Sequence, residues 1–164
     1  MVGHNISSPK RSHKIIALPA NALEELHSVL EKMNVCALEL EKIAQAEYEA
    51  IRHLDADQIM QLTDERIIAH QCLGQLEQQC RQLLDSYDVS RELSLSVVID
   101  MYAGTKAAAF QSLRRNLYER MIKVDQSNQE NKLRLHAAYN VTSNILQGLG
   151  LSQPEHTYNR RTPG

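Results

Sequence analysis

The stretch from Lys106 to Leu149 constrains the fold of this chain more than any other part of the sequence. Its seam residues recur in steps of three and four, which places them along one side of an α-helix about 66 Å long. No compact core of ordinary size hides so long a stripe. It must pack against helices of the same chain or of another molecule. Both can hold, in different parts of the stripe. The stripe consists of Phe110, Leu113, Leu117, Met121, Val124, Asn128, Asn131, Leu135, Ala138, Thr142, Ile145 and Leu149.

Two asparagines, Asn128 and Asn131, occupy stripe positions at which leucine would pack better. In one interpretation, they fix the register between packed helices at some cost in stability. In the other, Asn128 begins a surface that a partner covers. The sequence alone leaves both interpretations open.

The first half of the chain repeats apolar residues every seven positions, as paired helices do. The segment Asp55-Ala56-Asp57-Gln58 interrupts the repeat. Asp55 or Asp57 is placed to cap a new helix, and Gln58 follows Asp55 by three residues as in a capping box. So short an interruption fits an antiparallel hairpin or one kinked helix, and we predict the hairpin. The first helix presents Leu23, Leu26, Leu30, Met33, Ala37, Leu40, Ala44, Glu47, Ile51 and Leu54, and the second presents Ile59, Leu62, Arg66, Ala69, Leu73, Leu76, Cys80, Leu83 and Tyr87.

Arg66 is the charged member of the second seam, and we expect its head group to reach water while its stem covers apolar neighbours. Ser90 is placed to cap a third segment, which Gly104 ends or bends. The predicted fold is all-α, an elongated antiparallel helical bundle or coiled coil of three main helices with a short extra helical segment. The predicted helices cover about 20–54, 57–86, 91–103 and 106–149, in a domain over 19–150 between a flexible basic extension at 1–18 and a flexible tail at 151–164.

Composition excludes several classes of protein. Hydrophobic residues make up 43% of the chain, too many for a wholly disordered protein. The net charge of -2 gives no general attraction to nucleic acid, so we expect no nucleic-acid partner. No apolar run reaches the ~18 residues needed to span a bilayer, and the start lacks the apolar segment of a secretory signal. We therefore expect a cytoplasmic protein without direct membrane insertion.

The sequence contains no pattern typical of catalysis or metal binding. Glu24 and His27 form one Glu-x-x-His pair, whereas a di-iron bundle needs two such pairs and further Glu ligands. The cysteines, Cys36, Cys72 and Cys80, form no C-x-x-C pair, and we expect free thiols. No glycine-rich phosphate loop follows a strand pattern. We therefore predict that the chain is not an enzyme and holds no metal or cofactor.

Three groups of motifs follow one another along the chain. The first hairpin contains Glu47-x-Glu49-Ala50, then Asp57-Gln58-Ile59 and Leu62-Thr63-Asp64-Glu65-Arg66. The long helix contains Asn128-Gln129-Glu130-Asn131 with Leu133 and Leu135, and the chain closes with Thr157-Tyr158-Asn159 and Gly164. In this order, from Leu23 to Gly164, the motifs resemble those of the FlgN family of flagellar export chaperones. Arg66 stands where that family has Lys, and Asn159 stands where its tail motif has Gly.

The resemblance implies an all-α chaperone of flagellar type III secretion that has no catalytic turnover. Such a chaperone binds the C-terminal helical segments of hook-associated (hook-filament junction) proteins, prevents their premature assembly and delivers them to the export gate, a membrane protein. Tyr158 corresponds to the tail tyrosine that binds the export gate in this family. From the motif and the continuing stripe, the predicted substrate-binding residues are Asn128, Asn131, Leu133, Leu135, Ala138, Thr142, Ile145, Leu146 and Leu149.

A permanently assembled structural coiled-coil subunit is the alternative function. It predicts a stable oligomer and no dependence on Tyr158. The stripe does not separate the two functions, because binding grooves and helix cores use the same residue types, and Leu135, Ile145 and Leu149 also suit packing on the first hairpin. A chaperone with an empty groove is expected to form a homo-oligomer or to cover the groove in another way when substrate is absent.

Overall fold

The computed structural model describes residues 17–150, and these residues fold into helices joined by short turns. The helices are α1 (Ala20–Arg52), α2 (Ala56–Ser86), α3 (Leu95–Tyr102) and α4 (Ala107–Gly148), with a 3₁₀ turn at Gly104–Lys106. No strand occurs within this range, and the all-α prediction is confirmed. Tyr158, most of the predicted basic extension and the predicted tail lie outside the described residues.

The first two long helices form the predicted antiparallel hairpin. The Asp55 carboxylate accepts a hydrogen bond of 3.0 Å from the backbone N–H of Gln58, so it caps α2 as expected. Leu54 adopts φ 53° in the turn, and its side chain is exposed. Its predicted place in the seam is therefore wrong, because α1 ends at Arg52 and the heptad pattern stops there.

Helix α1 is the central helix, since both α2 and α4 pack along it and make no close backbone approach to each other within 17–150. Its heptad repeat is almost wholly buried, and Leu26, Leu30, Ala37 and Leu40 are the best-covered members. Burial of one such leucine stabilises the fold by about 2 kcal/mol. Substitutions in the α1 seam therefore affect both neighbouring helices.

Helix α4 runs parallel to α1, because α2 returns the chain to the start of α1 and α3 turns it there into α4. The side chain of Asn34 donates a hydrogen bond of 3.2 Å to the carbonyl oxygen of Leu113, and farther along Arg120 Nη1 donates one of 2.6 Å to Glu41 Oε2. The backbone N–H of Leu18 donates to the carbonyl of Tyr102 at 3.2 Å and so ties the start of α1 to the end of α3.

Two apolar clusters hold the helices together. The larger one joins the start of α1, the end of α2, α3 and the start of α4 around the fully buried Phe110. The smaller one lies toward the hairpin turn and consists of Ile43, Ala50 and Leu62 with partly buried neighbours. The bundle is therefore thickest at the α3 end and thinnest near the hairpin turn.

The third segment begins later than predicted, at Leu95 instead of residue 91. Its cap is Ser94, whose hydroxyl accepts a hydrogen bond of 3.4 Å from the backbone N–H of Val97. Ser90 instead accepts from the N–H of Glu92 at 3.3 Å within a turn. The residues between Ser90 and Ser94 form a turn instead of a first helical turn, and the N–H of Leu93 donates to the carbonyl oxygen of Ser90 at 3.2 Å.

Candidate helix-binding site

The long stripe is buried or half-buried up to Asn131 and mostly exposed beyond it. Phe110 and Val124 are fully buried against α1, whereas Ile145 is 56% exposed and Leu149 is 67% exposed. The contacts between α1 and α4 place the end of α1 level with about residues 138–139. Roughly the last ten residues of α4, about 15 Å of helix, therefore extend beyond α1. We call this part of α4 the overhang.

The overhang carries an apolar face that continues the buried seam. Helical spacing places its members on the side of α4 that farther back faces α1. Tyr139, which is 70% exposed, belongs to this overhang face and was missed from the sequence. It lies one position outside the strict three-and-four pattern, next to Ala138. It follows Leu135 by one helical turn, so a search for a wider apolar face, and not for a single line of residues, would have found it. The overhang face consists of Ala138, Tyr139, Thr142, Ile145, Leu146 and Leu149.

A cleft of about 280 Å³ lies beside the overhang, between α2 and α4 and above α1. Ile51 of α1 and Ile59 of α2 supply apolar lining, and Leu135 of α4 belongs both to this lining and to the start of the exposed seam. We call it the α2–α4 cleft. Its full lining is Glu47, Ile51, Ile59, Thr63, Arg66, Asn128, Gln129, Asn131, Lys132 and Leu135.

A buried ion pair joins α1 to α2 in the cleft. The Arg66 Nε atom lies 3.0 Å from Glu47 Oε1, and the Glu47 side chain is only 6% exposed. The Arg66 side chain is 33% exposed, so it stays partly open to water as predicted, while its Nε atom turns inward to the buried carboxylate, which needs a cation nearby. Arg66 Nε has no aligned hydrogen-bond acceptor among the described residues, so the contact is electrostatic. The pair therefore connects the Glu47-x-Glu49-Ala50 motif of α1 with the motif of α2 that ends in Arg66.

The two stripe asparagines have different environments. Asn131 is 4% exposed and its amide donates a hydrogen bond of 2.8 Å to the carbonyl oxygen of Ala44. Asn128 lines the α2–α4 cleft, and its Oδ1 atom is buried without a hydrogen-bond partner in the described part of the chain. Asn131 therefore fixes α4 on α1, whereas Asn128 presents an unused acceptor at the cleft.

Leu133 does not share a face with Leu135. Two residues of α-helix turn the side chain by about 200°, so Leu133 faces away from the seam, where it is 70% exposed. The remaining predicted residues, Leu135, Ala138, Thr142, Ile145, Leu146 and Leu149, lie together along the cleft and the overhang face.

A larger cavity, about 440 Å³, lies at the opposite end of the bundle, between α1, the end of α2 and the loop that follows α2. Arg91 holds Asp85 there through hydrogen bonds of 2.6 Å and 3.1 Å, which lower the pKa of the Asp85 carboxyl group. None of the predicted substrate-binding residues lines this cavity. The α2–α4 cleft is therefore the cavity that connects with the exposed stripe.

The described helices offer neither a membrane span nor a metal cluster. None of the helices within 17–150 is both long and apolar enough to cross a bilayer. In the same range, no three His, Cys, Asp or Glu side chains lie close enough to share a metal ion. His27, one half of the Glu-x-x-His pair, instead packs edge-on against Phe110 with ring centroids 5.6 Å apart.

Comparison with known families identifies the chain. The family model for FlgN, described as FlgN protein, matches residues 22–162. This match covers all of the helices except the first two residues of α1 and extends past Tyr158, and it confirms the family that the motifs indicated. No curated protein and no solved structure matched the sequence. The chain belongs to the FlgN family, a family of flagellar export chaperones.

Proposed function

We propose that this chain is a cytoplasmic chaperone that binds the C-terminal helical segments of hook-filament junction proteins, keeps them from assembling prematurely and delivers them to the export gate. The observation that carries the proposal is the continuity between the buried seam of α4 and the exposed overhang face. A stripe that α1 covers in one half, and that none of residues 17–150 covers in the other half, suits a helical partner that takes the place of α1.

The bound segment would lie as an amphipathic helix along α4. Its apolar anchors at helical spacing would contact the overhang face, and one end would enter the α2–α4 cleft beside Leu135. In the cleft it would pack between α2 and α4, which do not approach each other closely. The bundle would then gain a fourth helix at its thinnest end.

Polar groups in the cleft set a requirement on the bound helix. Asn128 Oδ1 is buried without a partner, and an unpaired buried acceptor costs roughly 1–3 kcal/mol. A hydrogen-bond donor on the substrate helix would remove this cost. Lys132 at the rim adds a positive charge, which favours an acidic residue on the same substrate segment.

The substrate contacts that we propose are therefore a subset of the residues predicted from the sequence, with one addition. Asn131 acts by positioning α4, and Leu133 lies outside the contact. Tyr139 joins the contact because it is a large exposed aromatic on the overhang face. The proposed contacts are Asn128, Leu135, Ala138, Tyr139, Thr142, Ile145, Leu146 and Leu149.

Delivery is assigned to Tyr158, which lies within the matched family region and outside the described residues. A tail beyond the bundle can bind the gate without disturbing the substrate site. Tyr158→Ala is therefore expected to leave substrate binding unchanged and to abolish binding to the gate. A pull-down with the cytoplasmic part of the gate protein measures this.

Co-purification with the last ~50 residues of a hook-filament junction protein from the same genome tests the substrate site. The wild type is expected to form a soluble stoichiometric complex. The double variant Leu135→Asp with Ile145→Asp is expected to form none while keeping its helix content, because each change places a charge in the apolar contact. Leu133→Asp is the matched control, since it adds one charge to the opposite side of the same helix, and it is expected to bind normally.

The permanently assembled coiled-coil subunit remains the alternative. It requires a tight homo-oligomer that the double variant dissociates and that no junction-protein segment displaces. Sedimentation of the chain alone and with the segment separates the two functions. A substrate-free oligomer that dissociates when the segment is added supports the chaperone, because both partners then compete for the overhang face.

A further inference from the structure

Two cysteine sulfurs meet between α1 and α2. The Cys36 thiol donates a hydrogen bond to the Cys72 sulfur, and the two Sγ atoms lie 3.2 Å apart. Cys72 is exposed and Cys36 is partly buried, so reagents in solution reach the pair through Cys72. Cys80, the third cysteine, is buried in the larger apolar cluster.

The pair lies at the boundary between the two apolar clusters. On α2, Leu62 belongs to the smaller cluster and Leu76 begins the contribution to the larger one, and Cys72 lies between them. Cys36 packs at the edge of the larger cluster. A bond between the two cysteines would therefore join α1 to α2 in the region between the two apolar clusters.

We propose that Cys36 and Cys72 form a reversible disulfide that joins α1 to α2. A disulfide requires the sulfurs to approach to about 2.05 Å, so they must move closer by about 1.2 Å from their separation of 3.2 Å. Small side-chain rotations on two packed helices can supply this movement. The inference is independent of the proposed function, because none of the proposed substrate contacts belongs to the pair.

Glutathione disulfide is a suitable oxidant for the reaction. The Cys72 thiolate attacks one sulfur of glutathione disulfide, which breaks its S–S bond, releases one glutathione thiolate and leaves a mixed disulfide on Cys72. The Cys36 thiolate then attacks the Cys72 sulfur and releases the second glutathione thiolate. Two protein thiols are oxidised, one glutathione disulfide is reduced to two glutathione molecules, and the two protons move to the released thiolates.

The disulfide would close a loop that contains the hairpin turn. By restricting the unfolded chain, such a loop is expected to raise the melting temperature by on the order of 5 °C. Because disulfides are reducible, the increase is expected to disappear in dithiothreitol. In a reducing cytoplasm the pair stays as two thiols, and a shift toward oxidised glutathione converts it.

The test is oxidation of the full chain with glutathione disulfide, followed by alkylation and mass spectrometry. We expect the wild type to lose two hydrogens, to leave only Cys80 open to alkylation after unfolding, and to retain no glutathione. No Lys or Arg lies between Cys72 and Cys80, so trypsin leaves both in one peptide. The Cys80→Ala variant therefore assigns the cross-link, and it is expected to oxidise as the wild type does.

The Cys36→Ser variant separates ring closure from simple glutathione attachment. It keeps Cys72 but lacks the second thiol, so it is expected to retain one glutathione. If the wild type also retains glutathione on Cys72, or forms only disulfides between chains or with Cys80, the proposal is overturned. Failure here leaves the substrate-binding proposal untouched, since that proposal is measured by complex formation.

Discussion

The amide of Asn131 donates a hydrogen bond of 2.8 Å to the carbonyl oxygen of Ala44, within an interface where Asn131 is 4% exposed. The side-chain oxygen of Asn131, Oδ1, accepts a hydrogen bond of 3.2 Å from Arg134 Nη1. The Arg134 guanidinium lies 4.6 Å from the centre of the Tyr48 ring on α1. A single stripe asparagine is thus connected to α1 through both of its polar ends. This bond lies just before α4 passes the end of α1.

Replacing the Asn131 amide with a carboxylate is expected to destabilise the bundle. Asn131→Asp loses the donor and places oxygen against the Ala44 carbonyl, which costs about 1–3 kcal/mol in the free energy of unfolding. Asn131→Leu is expected to be neutral or stabilising, because the Ala44 carbonyl keeps its backbone partner in α1. Urea unfolding followed by circular dichroism measures both. Asn140→Asp, on the exposed part of the same helix, is the control and is expected to change little.

The Glu47–Arg66 pair is expected to respond unequally to the removal of its two members. Arg66→Met leaves a buried carboxylate without a cation and is expected to cost about 2–3 kcal/mol. Glu47→Leu costs less, because Arg66 is 33% exposed and can extend into water. The double variant is expected to recover most of the loss. Equal costs for the two single variants in urea unfolding would contradict a pair whose buried member is Glu47.

Tyr139 provides a sharp test of the overhang face, because α4 also carries Tyr118, another exposed tyrosine that lies about 32 Å farther back along the helix, outside the overhang. Tyr139→Ala is expected to weaken binding of a junction-protein segment about tenfold or more, as for an aromatic at the centre of an interface. Tyr118→Ala is expected to change the affinity by less than about twofold. Titration calorimetry measures both, and similar losses for the two variants would place the contact elsewhere on α4.

The Cys36 thiol is expected to stay protonated at alkaline pH. Burial, with the neighbouring Cys72 thiol as a further cause, raises the pKa of Cys36 to about 11. Its alkylation rate by iodoacetamide should therefore keep rising about tenfold per pH unit from pH 8 to pH 10, as the thiolate fraction rises. The folded state holds this proton more tightly than the unfolded state, so its contribution to stability is lost as the pH rises from about 9 toward 11. A plateau in the alkylation rate below pH 9, in a sample that circular dichroism shows to be folded, would be the opposite result.

Helical periodicity predicts which side of a helix faces inward, and here it did so for most of α1 and α2. Asp55 was also predictable, because a capping box is a local signal. The Glu47–Arg66 pair was not, since the two residues appear separately as one odd polar member in each seam, and only the register of the hairpin brings them together.

The exposed half of α4 shows the limit of sequence patterns. Val124 and Ile145 obey the same spacing, yet the first is buried and the second is exposed. Spacing reports the direction of a side chain, and coverage depends on where the neighbouring helix ends. The end of α1 at Arg52 is a property of another segment of the chain, so the stripe alone could not indicate where its covered part stops.

The extension of α4 past α1 makes local helix stability part of the binding energetics. Helical segments of this length are marginal in water without tertiary support, so the backbone amides of the overhang are expected to exchange hydrogen faster than those of α1. A helix bound along the overhang face would slow this exchange. Amide exchange between residues 138 and 148 therefore reports directly whether the site is filled, even for a partner that changes nothing else in the bundle.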